Sequence, residues 1–99
     1  MAKVYISEYQ RMPTDGRAVF QGGAEPAVAT QVVAIGGTST QSAAFNTLTK
    51  FVRVHTDAIC SVLFGENPTA TANSPRLAAN QTDYFGVVAG QKVAVITNT

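Results

Sequence analysis

Apolar and polar residues alternate with a period of two along several short stretches of this chain. The clearest stretch covers residues 50–64, KFVRVHTDAICSVLF, in which Val52 and Val54 alternate with polar side chains. The alternation resumes after two short polar residues, Thr56 and Asp57. Period-two alternation with β-branched residues is typical of strands that bury one face. This stretch therefore predicts two strands joined by a short turn.

Similar patterns occur throughout the chain, separated by segments rich in Gly, Pro, Asn and Ser, which favour turns. Further strand candidates are residues 3–8 (KVYISE), 30–35 (TQVVAI), 81–88 (QTDYFGVV) and 91–97 (QKVAVIT), with a short apolar run at 18–21 and a short mixed segment at 76–79. The polar segment 38–42 is predicted to be a loop. About seven to eight short antiparallel strands with turns every eight to twelve residues are typical of an all-β sandwich or barrel. We find no linker, so residues 1–99 are predicted to form one domain.

A helix is the main alternative for the middle of the chain. Seven mostly apolar residues also recur there at helical spacing: Ala44, Leu48, Phe51, Val52, His55, Ile59 and Val62. The stretch is nevertheless rich in Val, Thr and Phe, which favour strands, and it has no clear capping residue at either end. We therefore predict strands.

The surface of this protein is expected to carry few charges. Charged residues make up 13% of the 99 residues, hydrophobic residues make up 45%, and the net charge is +1. A surface of this kind favours packing against neighbouring proteins. The seven Lys and Arg residues are scattered, which argues against nucleic acid as a partner. No apolar run is long enough for a membrane span or a secretory signal, so we expect synthesis in the cytoplasm and no membrane partner.

One histidine, one aspartate and one serine lie close together in the sequence, at His55, Asp57 and Ser61. These residue types form hydrolytic triads, but no G-x-S-x-G turn surrounds Ser61. A histidine at a strand edge more often forms an ordinary hydrogen bond with a neighbour. We therefore predict no catalytic residues and no enzymatic activity.

The single cysteine, Cys60, is predicted to be a buried, small apolar side chain. It has no partner for an intramolecular disulfide. It lies five residues from the only histidine, but a metal site needs three or four ligands, and the six acidic residues are widely spread. The glycine pairs at 22–23 and 36–37 lack the spacing of a phosphate-binding loop. We predict no metal, cofactor or small-molecule substrate.

Two adjacent aromatic residues, Tyr84 and Phe85, could stack on bases or sugars. No basic residue is interleaved with them in the sequence, as is common in nucleic-acid-binding surfaces. Packing in the core or at a subunit interface is therefore the preferred interpretation.

Three segments of the chain together resemble a recurrent pattern in small structural proteins of tailed bacteriophages. They are residues 51–58 (FVRVHTDA), 62–72 (VLFGENPTATA) and 76–96 (RLAANQTDYFGVVAGQKVAVI). The resemblance covers the second half of the chain, and the first half only weakly. It implies a β-sandwich or jelly-roll-like domain that forms homo-oligomers on the surface of a virion.

From this resemblance we expect a capsid decoration or cement protein, located in the virion and bound to the major capsid protein and to copies of itself. A component of the neck, the tail or the host-adhesion apparatus is the first alternative. A small ligand-binding β-barrel, with a pocket of polar groups around His55 or Tyr84, is the second. Residues 1–28, rich in Pro and Gly turns, could form an extended N-terminal arm or an ordinary strand followed by a long loop.

Overall fold

The computed structural model describes residues 2–14 and 22–99. In these two ranges the chain forms eight β-strands and no helix. The strands are β1 (Lys3–Tyr9), β2 (Ala29–Ala34), β3 (Thr40–Gln41), β4 (Phe51–Thr56), β5 (Cys60–Gly65), β6 (Arg76–Leu77), β7 (Thr82–Gly86) and β8 (Lys92–Thr97). The strand candidate at residues 18–21 lies outside the described residues.

The strands form two antiparallel sheets of four strands each. The first sheet has the order β2-β1-β4-β7, and the second has the order β3-β8-β5-β6. This arrangement confirms the predicted β-sandwich. The helical alternative for the middle of the chain is wrong, because β4 and β5 occupy that stretch and each pairs with strands distant in the sequence.

The strand order is that of a circularly permuted jelly roll. If β1 is counted after β8, the two sheets have the orders 1-8-3-6 and 2-7-4-5, the pairing of two Greek keys in an eight-stranded jelly roll. The permutation is physically possible because the start of β1 and the end of β8 lie beside the same turn, residues 57–59. The Asp57 amide donates to the Lys3 carbonyl at 3.0 Å, and the Asn98 amide donates to the Ile59 carbonyl at 3.2 Å.

The core lies between the two sheets and contains the residues that the period-two pattern turns inward. Successive side chains of a strand point to opposite faces, so every second apolar residue reaches the core. Twelve buried residues form the cluster: Val4, Ile6, Val33, Ile35, Phe45, Val52, Val54, Cys60, Val62, Leu77, Val93 and Val95. The predicted burial of Cys60 is confirmed.

The loop of residues 66–75 covers part of the outer face of the second sheet. Ser61 and Ala94 belong to this sheet, are absent from the core cluster and are nevertheless fully buried. The Gln41 side-chain amide donates to the Pro68 carbonyl at 2.8 Å, which holds the loop against the strand edge. The second sheet is therefore covered on its inner face by the core and around Ser61 and Ala94 on its outer face, whereas Leu63 on that outer face stays exposed.

Two segments differ from the sequence prediction. Residues 38–42 were predicted to be a polar loop, but they contain the two-residue strand β3, which pairs with β8 at Thr40 and Gln41. Such a short edge strand has too few residues to show a period of two. In the segment 1–28, β1 lies between β2 and β4 inside the first sheet, so an N-terminal arm cannot include residues 3–9.

Candidate binding face

The structure does not bring His55, Asp57 and Ser61 together. His55 Nδ1 shares a hydrogen bond with Thr82 Oγ1 at 2.8 Å on the first sheet. Ser61 is buried in the second sheet, where its Oγ accepts a hydrogen bond from Asn98 at 2.6 Å. Asp57 accepts a long hydrogen bond from the backbone amide of β1, at 3.3 Å. These three side chains therefore do not form a triad.

Cys60 is enclosed by the core and faces no ionisable partner. Its Sγ donates to Thr56 Oγ1 at 3.5 Å, and its side chain has no exposed surface. Burial raises the pKa of the thiol above its ordinary value of 9.0, because the thiolate would lose its hydration. A protonated, enclosed thiol is a poor nucleophile and a poor metal ligand.

A buried carboxylate, which the sequence prediction missed, joins three segments of the chain. Glu8 is 2% exposed. Its Oε1 accepts hydrogen bonds from the Asn46 amide and from the Thr49 hydroxyl, both at 2.8 Å, and its Oε2 accepts one from Gln31 at 3.1 Å. The signal was present in the sequence, since Glu8 has the same parity as Val4 and therefore points inward. We call this arrangement the Glu8 network.

The outer face of the first sheet carries most of the exposed aromatic side chains. We call it the aromatic face and define it by Tyr5, Phe51, Arg53, His55 and Tyr84. The register of the strands places Tyr5 opposite His55, Arg53 opposite Tyr84, and Phe51 at the end of the same face. No loop that the structure describes covers Tyr5 or Tyr84, which are 41% and 47% exposed.

The rings at one end of this face pack in a row. Tyr9 stacks on Phe51 with ring centroids 5.4 Å apart, and Phe51 lies 6.2 Å from Tyr84. These distances are within the range of favourable aromatic pairs. Tyr9 is buried, and its hydroxyl donates to Glu25 at 2.6 Å. Burial, and then the hydrogen bond to Glu25, raise the pKa of the Tyr9 phenol.

A cavity of about 350 Å³ opens beside this row of rings. Its lining among the described residues is mainly apolar and consists of Met12, Gly22, Phe51, Tyr84, Phe85 and Gly86. The described part of the lining lacks the converging polar side chains expected for a small-ligand site at Tyr84. The volume of the cavity and its apolar lining suit an apolar side chain of a partner.

The two adjacent aromatic residues have different roles. Phe85 points inward and packs against Phe64, with ring centroids 5.0 Å apart. Tyr84 points outward, next to Arg53 of the neighbouring strand. The sequence shows no basic residue interleaved with these rings, but the fold brings one beside Tyr84 from a strand about thirty residues earlier.

The strand positions that form the aromatic face carry only positive charges, although the Glu25 carboxylate lies at one end of the face beside Tyr9. The outward positions of β1, β2, β4 and β7 carry Lys3 and Arg53, and none of them carries a carboxylate. Glu8 and Asp83 occupy positions of the opposite parity. A partner surface that complements this face would be apolar and would offer an acidic side chain to Arg53.

Comparison with known proteins gives no relative for this chain: no family model, no curated protein and no solved structure matches it. Within residues 2–14 and 22–99, no three His, Cys, Asp or Glu side chains are grouped so that they could hold a metal ion. The same part of the chain contains no helix long and apolar enough to cross a membrane.

Proposed function

We propose that this chain is a non-enzymatic structural protein of a tailed-bacteriophage virion, and that it decorates the capsid by binding the major capsid protein. The observation that carries the proposal is the aromatic face, where Tyr5 and Tyr84 are exposed and are covered by no loop that the structure describes. The resemblance of residues 51–58, 62–72 and 76–96 to small phage structural proteins supports a capsid protein as the partner. The jelly-roll strand order is also found in viral capsid domains, but this support is an analogy of fold alone.

The half of the aromatic face formed by β4 and β7 is the part we assign to the capsid. Phe51 and Tyr84 provide aromatic anchors beside an apolar cavity, and Arg53, opposite Tyr84 on the neighbouring strand, provides a cation. Aromatic residues and arginine are enriched at the energetic centres of protein interfaces. The matching capsid surface would insert an apolar side chain into the cavity and place a carboxylate near Arg53.

Weak individual contacts are sufficient for this role. Burial of apolar surface contributes about 25 cal/mol per Å² before the costs of association are subtracted. A decoration protein contacts a lattice with many identical sites, and a copy that bridges two subunits gains from the high local concentration of the second. The low charge of the chain reduces repulsion between neighbouring copies.

Copy number in purified virions tests the location. Quantitative mass spectrometry would compare this chain with the major capsid protein of the phage that encodes it. A simple ratio of copies to capsid subunits supports decoration. A few copies per particle would move the chain to the neck or the tail, and its absence from the particle would refute the virion proposal.

A binding assay with capsids tests the surface. Tyr84→Ala removes an exposed ring from the aromatic face, and Leu63→Ala is a matched control because Leu63 is 38% exposed on the other sheet. We expect Tyr84→Ala to weaken co-sedimentation with undecorated capsids by about tenfold, the usual cost of an aromatic anchor. Equal loss in both variants, or loss only in Leu63→Ala, would exclude the aromatic face as the contact.

A further inference from the structure

The four edge strands of the sandwich differ in how well they are protected from pairing with another chain. β3 and β6 have two residues each, and short edges offer little to a partner. β7 is longer, but Asp83 Oδ1 accepts a hydrogen bond from the Tyr84 amide at 2.9 Å and places a charge at the edge. β2, ATQVVA, has six residues without a charge or a proline. It is the least protected of the four edges.

The backbone of β2 has unused hydrogen-bonding groups. The Ile35 amide donates to the Ala2 carbonyl at 3.0 Å. The residues of β2 that bond to β1 are therefore those at every second position counted back from Ile35. In an antiparallel pair the intervening residues direct their N–H and C=O groups the other way. In β2 these residues are Thr30, Val32 and Ala34. No backbone hydrogen bond from another described segment reaches them.

We infer that β2 is a self-association edge, at which a second copy of this chain pairs its own β2 in antiparallel orientation. The two-fold axis passes through Val32, so that Val32 faces its counterpart and Thr30 faces Ala34 of the other copy. The three outward residues of each strand would form about six backbone hydrogen bonds between the chains. The two first sheets would become one continuous sheet of about eight strands.

The side chains beside this edge favour the same partner. Val32 is 53% exposed, although it is a β-branched apolar residue at the centre of a strand. It lies opposite Tyr5, which is 41% exposed. The two-fold axis would join the two Val32–Tyr5 pairs into one apolar strip, with no carboxylate or ammonium at its centre. The inference does not depend on the virion proposal, because the edge and its exposed residues are features of the isolated chain.

Sedimentation of the purified protein tests whether the pair exists. We expect a species of twice the 10.4 kDa chain mass at high concentration, which dissociates on dilution. Amide hydrogen exchange locates the contact. The amides of Thr30, Val32 and Ala34 should be protected in the concentrated sample and should exchange rapidly in the dilute one. A monomer at every concentration, or a dimer in which these three amides remain unprotected, would overturn the inference.

Charge substitutions at the axis give a second, independent test. Val32→Lys and Val32→Glu each place like charges opposite one another, so each should raise the dimer dissociation constant by about tenfold or more. An equimolar mixture of the two variants should restore dimers, because opposite charges then meet. Tyr84→Lys, on the other edge of the same sheet, should leave the dimer intact. A misfolded variant could not be rescued by mixing, and failure of rescue between two folded variants would refute pairing at Val32.

Discussion

Glu8→Gln is the most informative test of how this fold is held together. The substitution keeps the size of the buried side chain but replaces one carboxylate oxygen with an NH₂ group. The remaining oxygen can still accept from Asn46 and Thr49, whereas the new amide would face the Gln31 amide nitrogen, which is also a donor. The Gln31 side-chain amide cannot easily rotate by half a turn to present its oxygen instead, because it also forms two hydrogen bonds with the backbone of Ala43.

The expected loss follows from the contacts of the Glu8 network. One hydrogen bond to a charged acceptor is lost, which is worth about 1.5–3 kcal/mol. The two remaining bonds are weakened, because their acceptor becomes neutral. We therefore expect Glu8→Gln to lower the free energy of unfolding by about 2–3 kcal/mol, and the melting temperature by about 10–20 °C for a domain of this size.

Urea denaturation at neutral pH measures this loss, with Glu66→Gln as the control. Glu66 is exposed, and its substitution should change stability by less than about 0.5 kcal/mol. A double-mutant cycle with Thr49→Val should give a coupling energy of at least about 0.5 kcal/mol, because Thr49 contacts Glu8 directly. Equal stability of the Glu8 and Glu66 variants would show that the network contributes nothing and would refute the reasoning.

Three further predictions concern packing and pH. Val54→Ala should cost about 2–3 kcal/mol in urea denaturation because Val54 is fully buried, while Val88→Ala, at a position 61% exposed, should be nearly neutral. Gly23→Ala should cost about 1–3 kcal/mol because its new Cβ would overlap the Tyr9 ring, whereas nothing lies near a Cβ at Gly36; similar thermal melts for both alanine variants would disprove the contact. The pKa of Cys60 is raised in the folded state, so its contribution to stability is complete below pH 9 and is lost as the pH rises further; Cys60→Ala should flatten this part of a pH–stability curve.

The strands of this fold could be predicted from the sequence, but their partners could not. Period-two alternation identifies β1, β2, β4, β5, β7 and β8, because one buried face selects every second residue. Alternation contains no information on which strand lies next to which. The turn at residues 57–59 carries the chain from one sheet to the other, and nothing local distinguishes it from the turn of a hairpin.

The candidate site was harder to predict for the same reason. Tyr84 was recognised as an aromatic residue of interest, but Arg53 became its neighbour only when β4 and β7 paired. Glu8 was overlooked because a carboxylate is usually exposed, although its parity with Ile6 places it inside. The interpretation of Cys60 as a buried residue succeeded, because burial of a free cysteine is the common outcome and needs no knowledge of topology.

The permuted strand order has a consequence for how the chain is made. β1 is synthesised before any of its neighbours, yet it lies in the interior of the first sheet and needs β4 on its second side. β8 follows all the other seven strands in synthesis and fits between β3 and β5 in the second sheet. Neither sheet can therefore be completed on the nascent chain before β7 and β8 have emerged. Folding of this sandwich should therefore be slow for its size, because almost every pairing joins distant segments. Until then the uncharged β2 edge stays open to other nascent copies, so high expression should favour aggregation.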